Sequence, residues 1–381
     1  MTGVRGQLDR RVFMGGAAAS LAGPPLARPA FAATGDPARP FDAPYAPVQV
    51  SPDRVIRSVV GLRPYRAAGF VLKRENVARR TLIHNYGHGG CGVTLSWGCA
   101  RMAVELAAET GERRAAIIGS GVMGLTTAAV LAQRGYDVTL YAEDFPPNTT
   151  SNIAGALWFP TSLYDPDVAG DAFLAQFRQA ARLAHRDFQH LANRPGYGVW
   201  WLRFLELHDA APATPLAPAI EGNDLYPGRA ASLDPEANLG FPYAVRFHAL
   251  MIDPDHFLPA LMADIRRAGG RFVQRRFETP GAVYDLKEKL IFNCSGYGAK
   301  ALFGDDAMTP ISGQLTLLLP QTDIDYGYVN PSEDGLAYMF PRRGAIVLGG
   351  TTNKGDASLA VNDAEKQRML ARHAAIAASA R

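Results

Sequence analysis

The chain has 381 residues, of which 48% are hydrophobic, and this is enough for one or two domains with buried cores. Lys and Arg number 39 against 36 Asp and Glu, a balance that argues against a nucleic-acid-binding protein. No run of 18 apolar residues is present, and the three cysteines lack CxxC spacing, which argues against a membrane span, a disulfide framework and a zinc site.

Residues 1–32 have the pattern of an export signal. Arg10 and Arg11 form a twin-arginine pair, an apolar run follows from Gly15 to Leu21, and Ala30-Phe31-Ala32 offers a cleavage site. The segment holds four Arg and one Asp, so its removal leaves 35 basic and 35 acidic residues. We expect a periplasmic protein exported by the twin-arginine route, without nucleic-acid partner or membrane anchor; the alternative is a disordered basic N-terminus.

The next elements, in chain order, lead to a short polar joint. Residues 33–47 are rich in Pro, Ala and Asp and predict a linker. Hydrophobic patterning then predicts a strand at 54–60, a loop at 61–66, strands at 70–72 and 81–84, and a helix over 93–108. The polar residues 109–114 follow that helix.

A dinucleotide-binding turn comes after this joint. Gly119-x-Gly121-x-x-Gly124 lies between a predicted strand at 115–118 and a predicted helix at 122–134, and Glu143 follows the next strand at 137–141. Gly119 allows the tight turn, Gly121 lets the backbone approach a pyrophosphate, and Gly124 lets helix and strand pack closely. Glu143 is predicted to accept hydrogen bonds from the ribose hydroxyls.

The second half of the chain gives a less complete pattern. It predicts a helix over 256–269, strands at 271–276, 290–294, 314–319 and 345–348, and a closing helix over 364–378. Residues 163–249 mix helical and extended signals, and their topology is left open.

Four segments resemble segments of the D-amino-acid oxidase family. The block from His84 to Ala100, with its HNYGHGGCGVT run, resembles the family's C-terminal signature, and Gly61 to Arg66 its active-site arginine loop. Phe145 to Trp158 resembles the stretch beneath the flavin, and Phe292 to Gly296 the turn beside the second half of FAD. The resemblance implies an α/β fold with a Rossmann-like FAD-binding domain and a substrate domain built on a mixed or antiparallel sheet.

The resemblance also implies a set of FAD-binding residues. In the His84 block, glycines leave the backbone free to press against a flat ring, and the helix after it directs its positive end at the flavin. No specific chemistry is assigned to His84 or His88. The residues predicted to bind FAD are Gly89, Gly92, Val93, Thr94, Gly119, Gly121, Val122, Met123, Gly124, Glu143, Thr149, Thr150, Ser151, Gly155, Ser295 and Gly296.

Two residues are predicted to hold the substrate. Arg63 matches the family arginine that binds the substrate carboxylate through two parallel hydrogen bonds. Tyr338 matches the tyrosine whose hydroxyl joins it, with a core aromatic residue as the alternative. The implied reaction transfers the α-hydrogen as hydride to flavin N5, and the imino acid is hydrolysed while oxygen becomes hydrogen peroxide. Arg66 is interpreted as a structural charge.

The sequence departs from the family pattern at two positions. Asp334 stands where relatives often have a second tyrosine, and Phe159 where they can have a polar side chain. Arg342 and Arg343 are the nearby candidates to pair with an acidic substrate, but neither can be placed there. We therefore expect a D-amino acid with a neutral side chain as substrate and oxygen as the second substrate. The oligomeric state is left open, with a homodimer as one possibility.

The order of these motifs predicts a circular permutation, because the family's C-terminal block precedes its N-terminal turn. The helix over 93–108 leaves the cofactor and the strand at 115–118 returns to it, so residues 109–114 can join adjacent ends. The predicted FAD-binding domain comprises residues 67–160 and 253–301, and the substrate domain residues 48–66, 161–252 and 302–381.

Three other functions are compatible with the same residues. A glycine- or sarcosine-type amine oxidase would share the FAD site without a pocket for a D side chain. A dehydrogenase would pass electrons to a quinone instead of oxygen. A non-catalytic flavin-binding protein would show no substrate-dependent bleaching.

Overall fold

The structure is a computed structural model that describes residues 41, 43–213, 225–332 and 335–379. The predicted signal peptide, most of the predicted linker, and Asp334 lie outside the described residues. The export prediction therefore stays a prediction.

The described residues form fifteen strands and eight α-helices. The strands are β1 (Val55–Arg66), β2 (Val71–Val77), β3 (Arg80–Tyr86), β4 (Arg114–Ile118), β5 (Asp137–Ala142), β6 (Val199–His208), β7 (Ala230–Ser232), β8 (Tyr243–Ile252), β9 (Arg271–Gln274), β10 (Leu290–Asn293), β11 (Met308–Leu318), β12 (Tyr326–Ser332), β13 (Gly335–Pro341), β14 (Ile346–Gly349) and β15 (Asn353–Lys354). The helices are α1 (Gly92–Glu105), α2 (Val122–Gln133), α3 (Thr150–Ile153), α4 (Asp171–Leu191), α5 (Pro254–Arg267), α6 (Pro280–Tyr284), α7 (Ala299–Phe303) and α8 (Asp363–Ser379).

A six-stranded, mostly parallel sheet has the order β2-β3-β10-β4-β5-β9. Strands β3, β10, β4, β5 and β9 run parallel, and β2 is an antiparallel edge strand. Helices α1 and α2 pack side by side, and α4 packs on α1 where a Cβ on Gly98 would lie 1.9 Å from the carbonyl oxygen of Ala180. The carboxyl ends of the parallel strands therefore meet at one edge, where ligands bind in such sheets.

A second sheet has the order β1-β11-β14-β13-β12-β6-β8-β7, with β15 also paired to β11. Its neighbours are antiparallel except β6 and β12, so the predicted mixed or antiparallel sheet is confirmed. The described residues fall in one compact unit. The division into a FAD-binding domain and a substrate domain therefore stays a prediction, although all strands of each sheet lie in the segments predicted for one domain.

The predicted loop at 61–66 is wrong, because these residues complete the long strand β1. They pair with β11 in continuous antiparallel register, with Arg63 opposite Ile311 and Pro64 opposite Pro310. β1 is at the edge of its sheet, where a proline costs no ladder hydrogen bond on the side without a neighbour. The arginine is therefore held on a strand and not on a loop.

The helix predicted over 93–108 ends three residues earlier, at Glu105. The connection to β4 spans residues 106–113 and contains a short 3₁₀ turn at Ala108–Thr110. Ion pairs join it to its neighbours, with Glu109 to Arg74 at 3.5 Å and Glu112 to Lys289 at 3.7 Å. The connection thus carries α1 to β4, the strand that neighbours β10 on the side opposite β3.

The cysteines, the apolar character of the helices and the possible metal ligands of the described residues bear on function. Cys91, Cys99 and Cys294 are buried free thiols, and burial raises the pKa of Cys91 and of Cys294 to about 12. Within this part of the chain, no helix has the length and apolar character needed to cross a bilayer, and no group of acidic, His and Cys side chains is arranged for a metal ion.

Candidate functional site

One large cavity collects almost all predicted site residues. Its volume is about 780 Å³, and its walls come from the carboxyl edge of the parallel sheet and from one face of the second sheet. The predicted residues that line it are Arg63, Tyr338, Gly89, Gly92, Val93, Thr94, Gly119, Gly121, Val122, Met123, Glu143, Thr149, Thr150, Ser151, Gly155, Ser295 and Gly296.

Gly124 is the predicted residue absent from the cavity wall. A Cβ at this position would lie 1.9 Å from the carbonyl oxygen of Gly119, so α2 can approach β4 only because residue 124 is glycine. Its predicted place in the list of cofactor contacts is thus corrected, because it packs behind the turn. The close packing of helix and strand, which the glycine spacing predicted for Gly124, agrees with its contact with Gly119.

The turn after β4 needs its glycines. Gly119 has φ +108° and a Cβ there would lie 2.4 Å from the carbonyl oxygen of Cys294. Gly121, at the N-cap of α2, borders the cavity, and a Cβ on it would point at the Ser151 hydroxyl at 3.2 Å. The backbone N–H of Val122 donates to that hydroxyl at 2.9 Å. The structure therefore brings the Gly119 turn and the segment around Ser151 together.

Glu143 lies at the end of β5 on the cavity wall. Its carboxylate pairs with Arg276 at 2.7 Å, and Arg276 also lines the cavity. Sequence reasoning missed Arg276, which lies just beyond β9, because only the pairing of β5 with β9 brings it beside Glu143.

The helix α1 begins at the same cavity. Gly92, Val93 and Thr94 form its first turn, no side chain caps it, and a Cβ on Gly92 would lie 3.8 Å from Val122 Cγ1. The first turns of α1 and α2 are thus adjacent, and the positive ends of the two helices favour negative charge between them. The sequence-distant glycine block and dinucleotide turn are parts of one site.

The two histidines of the glycine block have different surroundings. His84 hydrogen-bonds to Glu75 at 3.2 Å and to Asn293 at 3.0 Å, so its side chain links β3 to the neighbouring strands β2 and β10. His88 lines the cavity, stacks on Phe70 with ring centroids 4.8 Å apart, and neither ring nitrogen has a hydrogen-bond partner among the described residues. Burial lowers the pKa of His88 to about 3, so the ring is neutral.

Arg63 crosses the neighbouring strand to reach the cavity. It shares a face of β1 with Gly61, which is opposite Gly313 on β11. Its guanidinium lies over Gly313, where a Cβ would be 2.3 Å from Nη1. Its side-chain stem also passes Gly90, where a Cβ would be 3.6 Å from Cδ.

Tyr338 crosses the adjacent strand from the other side. It is opposite Gly349 on β14, and a Cβ on Gly349 would lie 2.6 Å from the tyrosine oxygen. Gly349 is opposite Leu315, which shares a face of β11 with Gly313. Arg63 and Tyr338 therefore lie on the same face and extend toward each other over β11 and β14. The Tyr338 hydroxyl has no hydrogen-bond partner among the described residues.

Comparisons with known proteins agree with this geometry. The model of the family described as DAO, FAD dependent oxidoreductase, matches residues 3–106 and 114–378. The chain belongs to this family of FAD-dependent oxidoreductases. Over 268 residues it is 31% identical to a D-amino-acid oxidase of Rubrobacter xylanophilus, covering 69% of this chain and 77% of the relative.

Other similar proteins have names that give different activities. The chain is 28% identical to a human D-aspartate oxidase over 271 residues, covering 69% of this chain and 75% of that protein. Among solved structures, it aligns with a glycine oxidase from Bacillus cereus at 14% identity and a TM-score of 0.48, over 68% of this chain and 77% of that one.

FAD fits the described cavity. Two adjacent helix N-termini, a glycine turn whose space any side chain would fill, and Glu143 at the far end match a pyrophosphate with a ribose beyond it. The residues that would hold the cofactor are thus those around the Gly119 turn, the first turn of α1, and the Ser295-Gly296 turn after β10.

Most of the cavity wall near Tyr338 is apolar, whereas Thr161, Ser162 and Thr352 also line the cavity. Its lining there includes the side chains of Phe159, Phe204, Leu315, Val329, Leu336 and Phe340. Phe159 belongs to a cluster with Phe204 and Phe247 at centroid distances of 5.5 and 5.8 Å. No further cation is present at this end within the described wall.

The other arginines considered from sequence have structural partners. Arg342 is buried, donates to the carbonyl oxygen of Ala154 and lies 3.9 Å from Asp255, and Arg343 lies over the ring of Trp200. Neither lines the cavity. Arg66 pairs with Asp305 through two hydrogen bonds of 2.9 and 3.3 Å, in agreement with its interpretation as a structural charge.

Proposed function

We propose that this flavoprotein oxidises D-amino acids with neutral side chains to 2-oxo acids, ammonia and hydrogen peroxide. The observation that carries the proposal is the convergence of Arg63 and Tyr338 over Gly313 and Gly349, beside a cavity wall made largely of apolar side chains. The D-amino-acid oxidase relatives, among them one that is 31% identical, support the same substrate class.

Each group has a definite task in this proposal. The Arg63 guanidinium binds the substrate carboxylate and the Tyr338 hydroxyl donates a second hydrogen bond to it. The apolar side chains of the wall hold an uncharged substrate side chain and exclude water. The first turn of α1 stabilises negative charge on the flavin. Bound FAD supplies the two-electron acceptor for oxidation of the substrate at its α-carbon. The protein thus contributes chiefly position and orientation.

No second cation is present among the described residues of this wall, and this favours neutral over acidic substrates. A substrate with a side-chain carboxylate would place a second negative charge among phenylalanine and leucine side chains, at a large desolvation cost. The arginines next to this wall in sequence, Arg342 and Arg343, already have partners at other positions.

The test is peroxide release by the purified FAD-loaded protein on matched D- and L-amino acids, D-aspartate, glycine and sarcosine. We expect turnover of neutral D-amino acids, and a loss of at least 100-fold in kcat/KM for Arg63→Ala, as removal of a charge-assisted pair implies. Arg57→Ala, on an exposed position of the same strand, is the matched control.

Three results would contradict the proposal. Preference for glycine or sarcosine would indicate an amine oxidase of that type. Flavin reduction by D-amino acids with no peroxide, but with reduction of an added quinone, would indicate a dehydrogenase. Full activity of Arg63→Ala would remove the assigned carboxylate site.

We also propose that the chain is a circular permutation of the family order, joined at residues 109–114. The family model matches two segments that are separated by residues 107–113. The strands on either side of that joint, β3 and β4, both run parallel to β10. Tyr45 and Val48 share a hydrophobic cluster with Leu370 and Ile376 of α8, so the first described segment packs beside the last described helix, as the proposed order requires.

A rearranged gene tests the permutation. A chain that begins at Arg114, links residue 379 to residue 45 through a short Gly-Ser linker and ends at Thr110 should fold and bind FAD like the natural chain. A chain opened in the same way within α2 is the control that should fail. Loss of folding in the Arg114 chain would count against the proposed order.

A further inference from the structure

Arg63 has one fixed contact and several free donors. Its Nη1 donates to the backbone carbonyl oxygen of Thr351 at 3.2 Å, which is the one hydrogen bond of this guanidinium among the described residues. A guanidinium has five N–H donors in a planar fork. The Thr351 contact therefore fixes the orientation of the guanidinium plane. The other N–H donors of Arg63 stay available to a carboxylate.

The carbonyl group that holds Arg63 is itself held. Residues 350–352 form the irregular step between β14 and β15, both of which pair with β11. Gly350 has φ +145° and a Cβ there would lie 1.4 Å from the carbonyl oxygen of Leu336, so the path of this step admits only glycine. The Thr351 hydroxyl then accepts a hydrogen bond from the backbone N–H of Gln314 at 2.5 Å.

The side chain of Gln314 fixes the other end of the same segment. Its Nε2 donates to the carbonyl oxygen of Asn362 at 3.0 Å, and its Oε1 accepts from the Asn362 N–H at 2.8 Å. Gln314 follows Gly313 on β11, so its side chain lies on the face opposite Arg63. The segment 351–362 is thus anchored at both ends by one residue, directly behind the arginine.

We infer that Thr351 is a positioning residue for carboxylate recognition, acting on Arg63 through its backbone carbonyl, with Gln314 as the support of Thr351. The inference rests on the proposed role of Arg63. The Arg63 side chain would otherwise lose rotamer freedom each time a carboxylate binds, and the Thr351 contact removes that cost in advance. Loss of this contact therefore weakens carboxylate binding and leaves the later chemistry unchanged.

The experiment compares Thr351→Val, which loses the hydroxyl acceptor at nearly constant volume, with Thr351→Ser, which retains it. Thr316→Val is the matched control, because Thr316 lies on β11 and loses a comparable hydroxyl hydrogen bond, at 3.0 Å to Ser58. For Thr351→Val we expect a five- to tenfold rise in KM for a neutral D-amino acid and in the Kd of benzoate, as one lost hydrogen bond implies. We expect kcat within about twofold of wild type, while Thr351→Ser and Thr316→Val resemble wild type.

Calorimetric binding of benzoate to the FAD-loaded proteins separates this inference from the proposed function. Wild-type protein that binds benzoate but oxidises no D-amino acid would contradict the function and leave the positioning testable. Unchanged benzoate affinity in Thr351→Val, an equal loss in Thr316→Val, or no benzoate binding by wild type would overturn the positioning role. If Thr351→Val does not fold, Gln314→Met replaces it, because it removes the two side-chain hydrogen bonds to Asn362 that hold the other end of the segment. We expect a smaller rise in the benzoate Kd for this variant, and no rise would overturn the positioning role.

Discussion

The guanidinium of Arg63 occupies the space that a side chain on Gly313 would fill, because a Cβ there would lie 2.3 Å from Arg63 Nη1. The two residues lie on adjacent strands, one at the sheet edge and one inside it. Arg63 reaches the cavity only by crossing this glycine. The absence of a side chain at residue 313 is thus as necessary to the site as the charge at residue 63.

Gly313→Ala should therefore displace Arg63 and weaken substrate binding. We expect KM for a neutral D-amino acid to rise by about 10- to 100-fold, which corresponds to about 1.5–3 kcal/mol for a charge-assisted hydrogen bond. Steady-state kinetics measures the change, and FAD content should stay at the wild-type value. Gly344→Ala is the control, since a Cβ at Gly344 meets no atom within 4 Å; equal KM values for the two variants would refute the crossing argument.

Gly121→Ala should weaken FAD binding with little effect on folding. Gly121 has an ordinary φ of −65°, so alanine is tolerated by the backbone, but its Cβ would enter the space between the α2 N-terminus and Ser151. We expect the Kd of FAD, measured by flavin fluorescence, to rise about tenfold or more because a pyrophosphate needs that close approach. Gly170→Ala alters an N-cap glycine of similar backbone conformation with open space around it, so it should leave the Kd unchanged.

Phe159→Ala should enlarge the substrate side-chain space. Phe159 lines the cavity and lies 6.0 Å from Tyr226 between ring centroids. We expect the ratio of kcat/KM for D-phenylalanine to that for D-alanine to rise about tenfold, in the range that pocket shape supplies. Phe173→Ala removes an aromatic side chain that packs on Phe70 outside the cavity, and it should lower stability without changing this ratio. A similar ratio change in both variants would indicate a general loosening.

His88 should make the stability of the protein fall in acid. Burial lowers its pKa to about 3, against about 6.5 in an unfolded chain, so the unfolded state binds the proton first as the pH falls. The free energy of unfolding is therefore unaffected by His88 above pH 6.5 and falls by about 1.4 kcal/mol per pH unit between 6.5 and 3. Burial gives His373 the same depressed pKa of about 3.

Urea unfolding of the FAD-saturated protein at pH 7, 6 and 5 measures this dependence. His88→Phe keeps a ring on Phe70 and removes the titrating group, so its pH slope should be smaller than that of wild type by about 1.4 kcal/mol per pH unit. His190→Gln, at an exposed position, should keep the wild-type slope. An unchanged slope in His88→Phe would show that the imidazole is not neutral and buried in the folded state.

The cofactor turn could be predicted from sequence, because the residues of a strand, a glycine turn and a helix act on one another within about 30 positions. The turn at Gly119, the helix after it and Glu143 at the end of β5 follow from backbone requirements of that short stretch. The roles predicted for Arg63 and Tyr338 came from the resemblance of their local segments to the family.

How those side chains meet depends on the pairing of strands that are distant in the chain. The strand conformation of residues 61–66 depends on β11, whose residues lie about 250 positions away, and no local pattern contains that information. The topology of residues 163–249 could not be predicted for the same reason. Its strand β6 lies between β8 and β12, which both come later in the chain. The crossings over Gly313 and Gly349 and the anchoring of Arg63 by Thr351 are products of register between distant strands. A one-residue shift of register would turn these side chains to the opposite face.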